Sequence, residues 1–143
     1  MTVLVDTGVV YADHDTDATR HEAASAALEA VYDGVVGTPY VSDYVFDEAV
    51  TLARTRTGSH AAARRLADRL RGIDPHPDAY DLLHGSPAGF TDAIDIFDRD
   101  DDPQLSVTDA TSVALVERHD LDQILSVDDD VDGLVDRVTP AHV

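Results

Sequence analysis

The feature that most constrains this chain is a short apolar run ending on a carboxylate, Val3-Leu4-Val5-Asp6-Thr7-Gly8, with a second such run at Ile124-Leu125-Ser126-Val127-Asp128. A β-branched run without polar alternation reads as a strand buried on both faces, which is the habit of parallel sheets. If two such strands are neighbours, their acids emerge at one sheet edge. Ligands of open parallel sheets bind beyond the carboxyl ends of the strands. The pattern therefore predicts an α/β domain whose chemistry gathers at that edge.

The segments between the two runs fit this frame. Residues 2–5 form the first strand, and Thr7-Gly8 leads into a short helix near 8–13. A polar loop over 13–19 follows. A helix over about 20–33 places Ala24, Ala27, Leu28 and Val31 on one face and stops at Gly34. A second strand covers 35–41. Ser42 caps a helix to about residue 57 that Gly58 closes, and Ser59 caps another that stops at Gly72. An irregular stretch over 73–78 precedes a short strand at 80–83 and a helix over 87–99. A helix over 109–119, a strand over 124–127, an acidic turn over 128–132 and a last strand near 137–139 complete the chain. The alternation predicts a three-layer α/β/α domain with a central parallel sheet, with residues 1–143 as one unit.

Composition decides which acids matter. The chain carries 29 acidic residues against 10 basic ones; 25 of the acids are Asp, every basic residue is Arg, and Lys is absent. A net charge of −19 on 143 residues opposes compaction by self-repulsion. At about 1 M salt the Debye length falls to roughly 3 Å, and most of that cost disappears. This Asp-rich, Lys-free composition resembles that of proteins from salt-loving archaea. Most of the Asp residues are thus a solvated surface, and only acids in unusual positions carry weight. The absence of Cys excludes disulfides, thiolate zinc sites and a Cys nucleophile. The seven His residues show no zinc spacing, and a phosphate loop of the Gly-Lys-Ser/Thr type is impossible without Lys. No apolar run approaches the roughly 20 residues of a membrane helix, and no secretory pattern opens the sequence. A soluble, cytoplasmic protein is expected.

Four acids stand out. Glu48 lies among Val45, Ala49, Leu52 and Ala53, on the apolar stripe of its helix. A carboxylate facing a core is costly unless paired or metal-bound. The alternatives are an Arg54 or Arg56 partner, or a stripe edge open to water. Asp6 and Asp128 each follow a strand. For Asp6 the alternative is a turn onto the Thr7-Gly8 backbone; for Asp128 it is a plain acidic loop, with Asp129 and Asp130 as rivals. Asp109 opens a helix, where it either caps the helix or serves a site. Brought together, the four form a self-repelling pocket that divalent cations relieve, and oxygen ligands suit Mg2+ or Mn2+. One or two such ions can promote hydrolysis of a phosphodiester.

At this point the sequence resembles a known family. Val3-Leu4-Val5-Asp6-Thr7, then Val45-Phe46-Asp47-Glu48-Ala49-Val50-Thr51-Leu52, then Leu105-Ser106-Val107-Thr108-Asp109-Ala110, then Leu125-Ser126-Val127-Asp128 resemble, in order and spacing, the motifs of PIN-domain ribonucleases. Single-domain members of this length are commonly VapC-type toxins of toxin–antitoxin pairs. The resemblance implies a Mg2+- or Mn2+-dependent endoribonuclease, a homodimer, and a small antitoxin that plugs the acidic pocket. It implies metal-binding roles for Asp6, Glu48, Asp109 and Asp128, and supporting roles for Thr7, Thr108 and Ser126. One departure is Val131, where the family usually carries an aromatic; it leaves Asp130 beside Asp128 for the fourth position.

Six of the ten Arg residues fall in the window 54–71, against one acid, Asp68. Arg54, Arg56, Arg64 and Arg65 are candidates for holding an RNA backbone; salt bridges or a dimer contact are the alternatives. Other functional readings are an inactive PIN-fold binding module and an RNA-processing nuclease without an antitoxin. A phosphohydrolase with Asp6 as nucleophile ranks last, because that class wants a second Asp two positions on, where Gly8 stands, and a Lys. The charge gives a first prediction. Raising salt from about 0.1 M to about 1 M increases the melting temperature by several degrees or more as screening takes hold; a salt-independent melt would contradict it.

Overall fold

Five parallel strands build the sheet, in the spatial order third, second, first, fourth, fifth. In a computed structural model describing residues 1–143, the chain runs β1 (Thr2–Val5), α1 (Thr7–His14), α2 (His21–Tyr32), β2 (Thr38–Ser42), α3 (Asp43–Thr57) and α4 (His60–Arg71). It continues through β3 (Asp81–Leu83), α5 (Pro87–Arg99), α6 (Val107–Arg118), β4 (Gln123–Leu125) and β5 (Arg137–Val138) to a 3-10 turn, Pro140–His142. Successive strand residues point to opposite faces, and both faces of this sheet are covered. Val3, Val5, Val41 and Leu125 pack beneath α1, α2, α3 and α4, whereas Leu4 and Ile124 pack beneath α5 and α6. The expected three-layer α/β/α architecture is thus present.

Local chemistry sets the helix ends. The Ser42 and Ser59 hydroxyls accept the backbone N–H groups of Val45 and Ala62, at 3.0 Å and 3.1 Å. Gly58 and Gly72 close the same two helices in the left-handed region, at φ of 64° and 66°, where a side chain would be strained.

Three boundaries differ from the sequence reading. The second strand starts at Thr38 instead of residue 35, because Gly34 and Gly37, both with φ above 80°, turn the chain there. Val35 is exposed on that turn and Val36 is tucked into the core. Helix α6 begins two residues before Asp109, since Ser106 is its cap. Strand β4 ends at Leu125, so Asp128 lies three residues beyond the strand and not one. No helix is long and apolar enough to cross a membrane.

Candidate metal and catalytic site

From β1 the sheet grows through β2 to β3 on one side and through β4 to β5 on the other. The order switches between β1 and β4, and a crevice opens at such a point outside the strand ends. Val5 pairs with Leu125, so the next residues, Asp6 and Ser126, stand side by side at the mouth of that crevice. The Asp6 amide donates to the Leu125 carbonyl at 3.0 Å. Ser126 Oγ donates to Asp6 Oδ2 at 3.0 Å and accepts the Asp128 backbone N–H at 3.2 Å. It is therefore Ser126, not Asp128, that faces Asp6 across the ladder.

Asp6 is 8% exposed, and no Arg or His pairs with it. Burial is the main reason its carboxyl is pushed up to about 6; the charges of Asp109 and Glu48 add to the effect, and hydrogen bonds from the Thr7 backbone and Ser126 oppose it. Beside it, Thr7 Oγ1 is buried without any hydrogen-bond partner. A desolvated carboxylate next to an orphaned hydroxyl is a donor set of hard oxygens, which fits Mg2+ or Mn2+.

Asp109 stands at the third position of α6 in a reciprocal capping box. Its Oδ2 accepts the Ser106 N–H at 2.9 Å, and Ser106 Oγ accepts the Asp109 N–H at 3.0 Å. Capping and site duty are thus compatible, since the box occupies only one carboxylate oxygen. The group is half-buried, and burial is the leading cause that raises its carboxyl above the ordinary range. The charges of Glu48 and Asp128 contribute, while the bonds to Ser106 pull the other way. The cap was legible as Ser106-x-x-Asp109, a pattern the sequence reading missed by starting the helix at Asp109.

Glu48 is exposed, which corrects the expectation that it faces the core. Val45, Ala49 and Ala53 form the buried stripe of α3, and Glu48 sits on its solvent side while its charge still reaches Asp6 and Asp109. Asp128 is also exposed, with its Oδ1 3.5 Å from Arg20 Nη1. Sequence reasoning did not find Arg20, whose partner is 108 positions away. Asp130 is half-buried, and its carboxyl is raised by burial first and then by Asp109, Asp128 and Asp129. Both candidates for the fourth acid therefore lie in the field of Asp109. Thr108 is half-buried in the first turn of α6, and its carbonyl accepts the Thr111 hydroxyl at 2.6 Å.

The acidic turn is pinned on either side of this cluster. Val131 is buried among Leu105, Leu121 and Ile124. Arg137 donates to both Asp132 oxygens, at 2.6 Å and 2.9 Å, and to the Ser126 carbonyl at 3.4 Å. The four principal acids share one electrostatic field without closing into a shell: no three acidic or His side chains converge on a common point.

The candidate RNA-holding arginines lie on the α3–α4 hairpin, and all four are exposed. Arg54 contacts His60 Nδ1 at 2.8 Å, Arg56 stacks 4.8 Å from the Tyr11 ring centre, and Arg64 pairs with Asp68 at 3.4 Å. Arg65 forms no ion pair and lines a cleft with His14, Arg69 and His76.

An open parallel sheet with carboxylates gathered near its switch point defines an α/β domain with an acidic site at the sheet edge. The chain belongs to the PIN domain family, whose sequence profile matches residues 3–136. Comparison with curated protein sequences gives no match. Among solved structures, the fold is similar to Mycobacterium tuberculosis VapC20, a sarcin–ricin-loop-cleaving toxin, with a TM-score of 0.74 and 25% identity over 90% of this chain and 91% of that one. It is also similar to VapBC2 of Rickettsia felis bound to a promoter DNA fragment (TM-score 0.71, 8% identity, 97% and 98% covered). A third neighbour is FitAcB of Neisseria gonorrhoeae (TM-score 0.58, 19% identity, 99% of each chain).

Asp6 gives a pH-dependent prediction. Unfolded, it ionises near 3.8; folded, near 6. Below pH 3.8 it is protonated in both states and costs nothing. As pH rises from 3.8 through 6 the unfolded state releases its proton first, so Asp6 destabilises the fold by on the order of 3 kcal/mol, in full above pH 6. Asp6→Asn should therefore be more stable than the wild type at pH 7 in chelator, with the difference vanishing near pH 4. Denaturant unfolding at both pH values checks this.

Proposed function

We propose that this chain is a divalent-metal-dependent endoribonuclease and the toxin component of a toxin–antitoxin pair. One observation carries the reading: Asp6 is buried at the sheet's switch point, without a cationic partner, in the field of Asp109 and Glu48. A fold gains nothing from an unpaired buried carboxylate, and a bound cation removes the penalty. Membership of the PIN domain family and the likeness to the RNA-cleaving toxin VapC20 support the same activity.

Asp6, Glu48, Asp109 and Asp128 would hold one or two Mg2+ or Mn2+ ions, with Asp130 as the alternative fourth acid and Thr7, Thr108 and Ser126 in support. When bound, such an ion supplies positive charge against the charge that builds on a phosphodiester and acidifies water beside it. The chain's own contribution is placement. Ser126 aims Asp6 through its 3.0 Å hydrogen bond, and the Ser106 cap fixes the Asp109 carboxylate. Glu48 and Asp128 are exposed side chains with the rotamer freedom to close on a cation. Attack of water in line on phosphorus expels the 3′ oxygen and leaves 5′-phosphate and 3′-hydroxyl ends. The proposed partners are RNA, a small antitoxin that occupies the acidic edge, and a second copy of the chain in a homodimer. The cytoplasm is the proposed location. Arg54, Arg56, Arg64 and Arg65 are proposed to hold RNA phosphates, with reduced effect in concentrated salt.

The spread of the acids favours one other reading, a PIN-fold binding module without catalysis. Cleavage of a mixed RNA panel in molar salt separates the two. The nuclease cuts with Mn2+, stops with chelator, and slows by about 100-fold or more in Asp6→Asn. Unchanged cleavage by that variant would refute the site, and absence of both cleavage and Mn2+ binding would establish the binding module.

A further inference from the structure

We propose that the cleft beside Arg20 is a base-binding subsite, which takes one unstacked nucleobase of the RNA strand whose phosphate lies at the acidic edge. This rests on the nuclease reading above and adds to it where the strand is gripped.

The cleft has a volume of about 220 Å³ and is lined by Arg20 and Ala23 at the start of α2, Val127 after β4, and Thr139, Pro140 and Ala141 after β5. Both strands end at this side of the sheet, as β1 does at Asp6. Arg20 joins the cleft to the site, since its Nη1 lies 3.5 Å from Asp128 Oδ1 and 3.5 Å from the Val127 carbonyl. Among Asp6, Glu48, Asp109 and Asp128, only Asp128 has an Arg partner. Arg20 is thus the cation stationed where a strand would leave the acidic edge.

The walls suit a flat, mostly apolar ring with a polar rim. Ala23, Val127, Pro140 and Ala141 present hydrocarbon, and the Arg20 guanidinium offers a planar face of the kind that stacks on bases. The Thr139 hydroxyl, already paired with His142 Nδ1 at 2.6 Å, retains capacity for one further polar contact. Val127 is a fixed wall: a Cβ at Gly8 would come within 2.7 Å of its Cγ2, so only glycine lets α1 pack this closely. The charge balance favours a base over a second phosphate. A chain of net charge −19 repels RNA at long range, and in the concentrated salt that relieves this, phosphate contacts contribute little. Apolar and stacking contacts persist under those conditions.

The test is fluorescence anisotropy of a labelled single-stranded RNA in molar salt and chelator, so that binding is read without catalysis. Ala23 is exposed on α2, so Ala23→Phe fills the cleft without disturbing the core; Ala141→Phe does so from the opposite wall. Each variant should keep the wild-type melting temperature and bind RNA about tenfold more weakly, the loss expected for one stacked base. A single abasic position in the RNA should cost the wild type the same factor and cost either variant nothing further. Wild-type affinity in both variants, additive abasic losses, or no RNA binding by the wild type would overturn the subsite. Base-dependent binding without any Mn2+-dependent cleavage would leave the subsite standing and remove the nuclease reading. Cleavage with affinity unchanged in both variants would do the reverse.

Discussion

The pairing of β1 with β4 sets the geometry on which the site depends. Because Val5 lies beside Leu125, the ladder's last bond runs from the Asp6 amide to the Leu125 carbonyl, and it leaves the Asp6 side chain at the switch point next to Ser126. A shift of one residue in that register would send every side chain of β1 to the opposite face. The observed register places Val3 and Val5 in one core and Leu4 in the other. The same residues that bury the sheet therefore aim the carboxylate.

Elsewhere several acids find cationic partners. Asp132 is held by Arg137, Asp92 by Arg118 and Asp13 by Arg69. Asp6 is the exception: it is the buried acid, yet it receives only a hydroxyl and a backbone amide. Neighbouring Asp109 raises its cost instead of lowering it. In a chain with 29 acids the informative residue is the one whose environment opposes its charge. The acidic surface and the acidic edge are thus separate matters. The first is solvated and answers to salt, whereas at the second Asp6 is desolvated and its charge is screened much less.

Much of this was legible in the sequence. The strands at 2–5 and 124–125 follow from apolar runs, and the helices after Ser42 and Ser59 from serine caps and closing glycines, because those signals are local. The misreadings involve tertiary contacts. Ser126-Val127 continues the apolar pattern of β4, but the strand stops at Leu125, where pairing with the two-residue β5 ends. Glu48 sits one turn from both Val45 and Leu52, and the helical pattern alone does not say which flank of a stripe α1 and the sheet will cover. Arg20 has no local signature at all; only the folded chain brings it to Asp128. The grouping of the acids needed the sheet order, which the family motifs supplied more directly than periodicity did.

The most direct measurement is an anomalous difference map from crystals grown in molar salt and soaked in manganese. A cation held by this edge predicts a peak within coordinating distance of the Asp6 carboxylate, on the side of Asp109, and its loss in crystals of Asp6→Asn. Manganese found only on surface acids such as Asp100, Asp101 and Asp102, with none at Asp6, would contradict it.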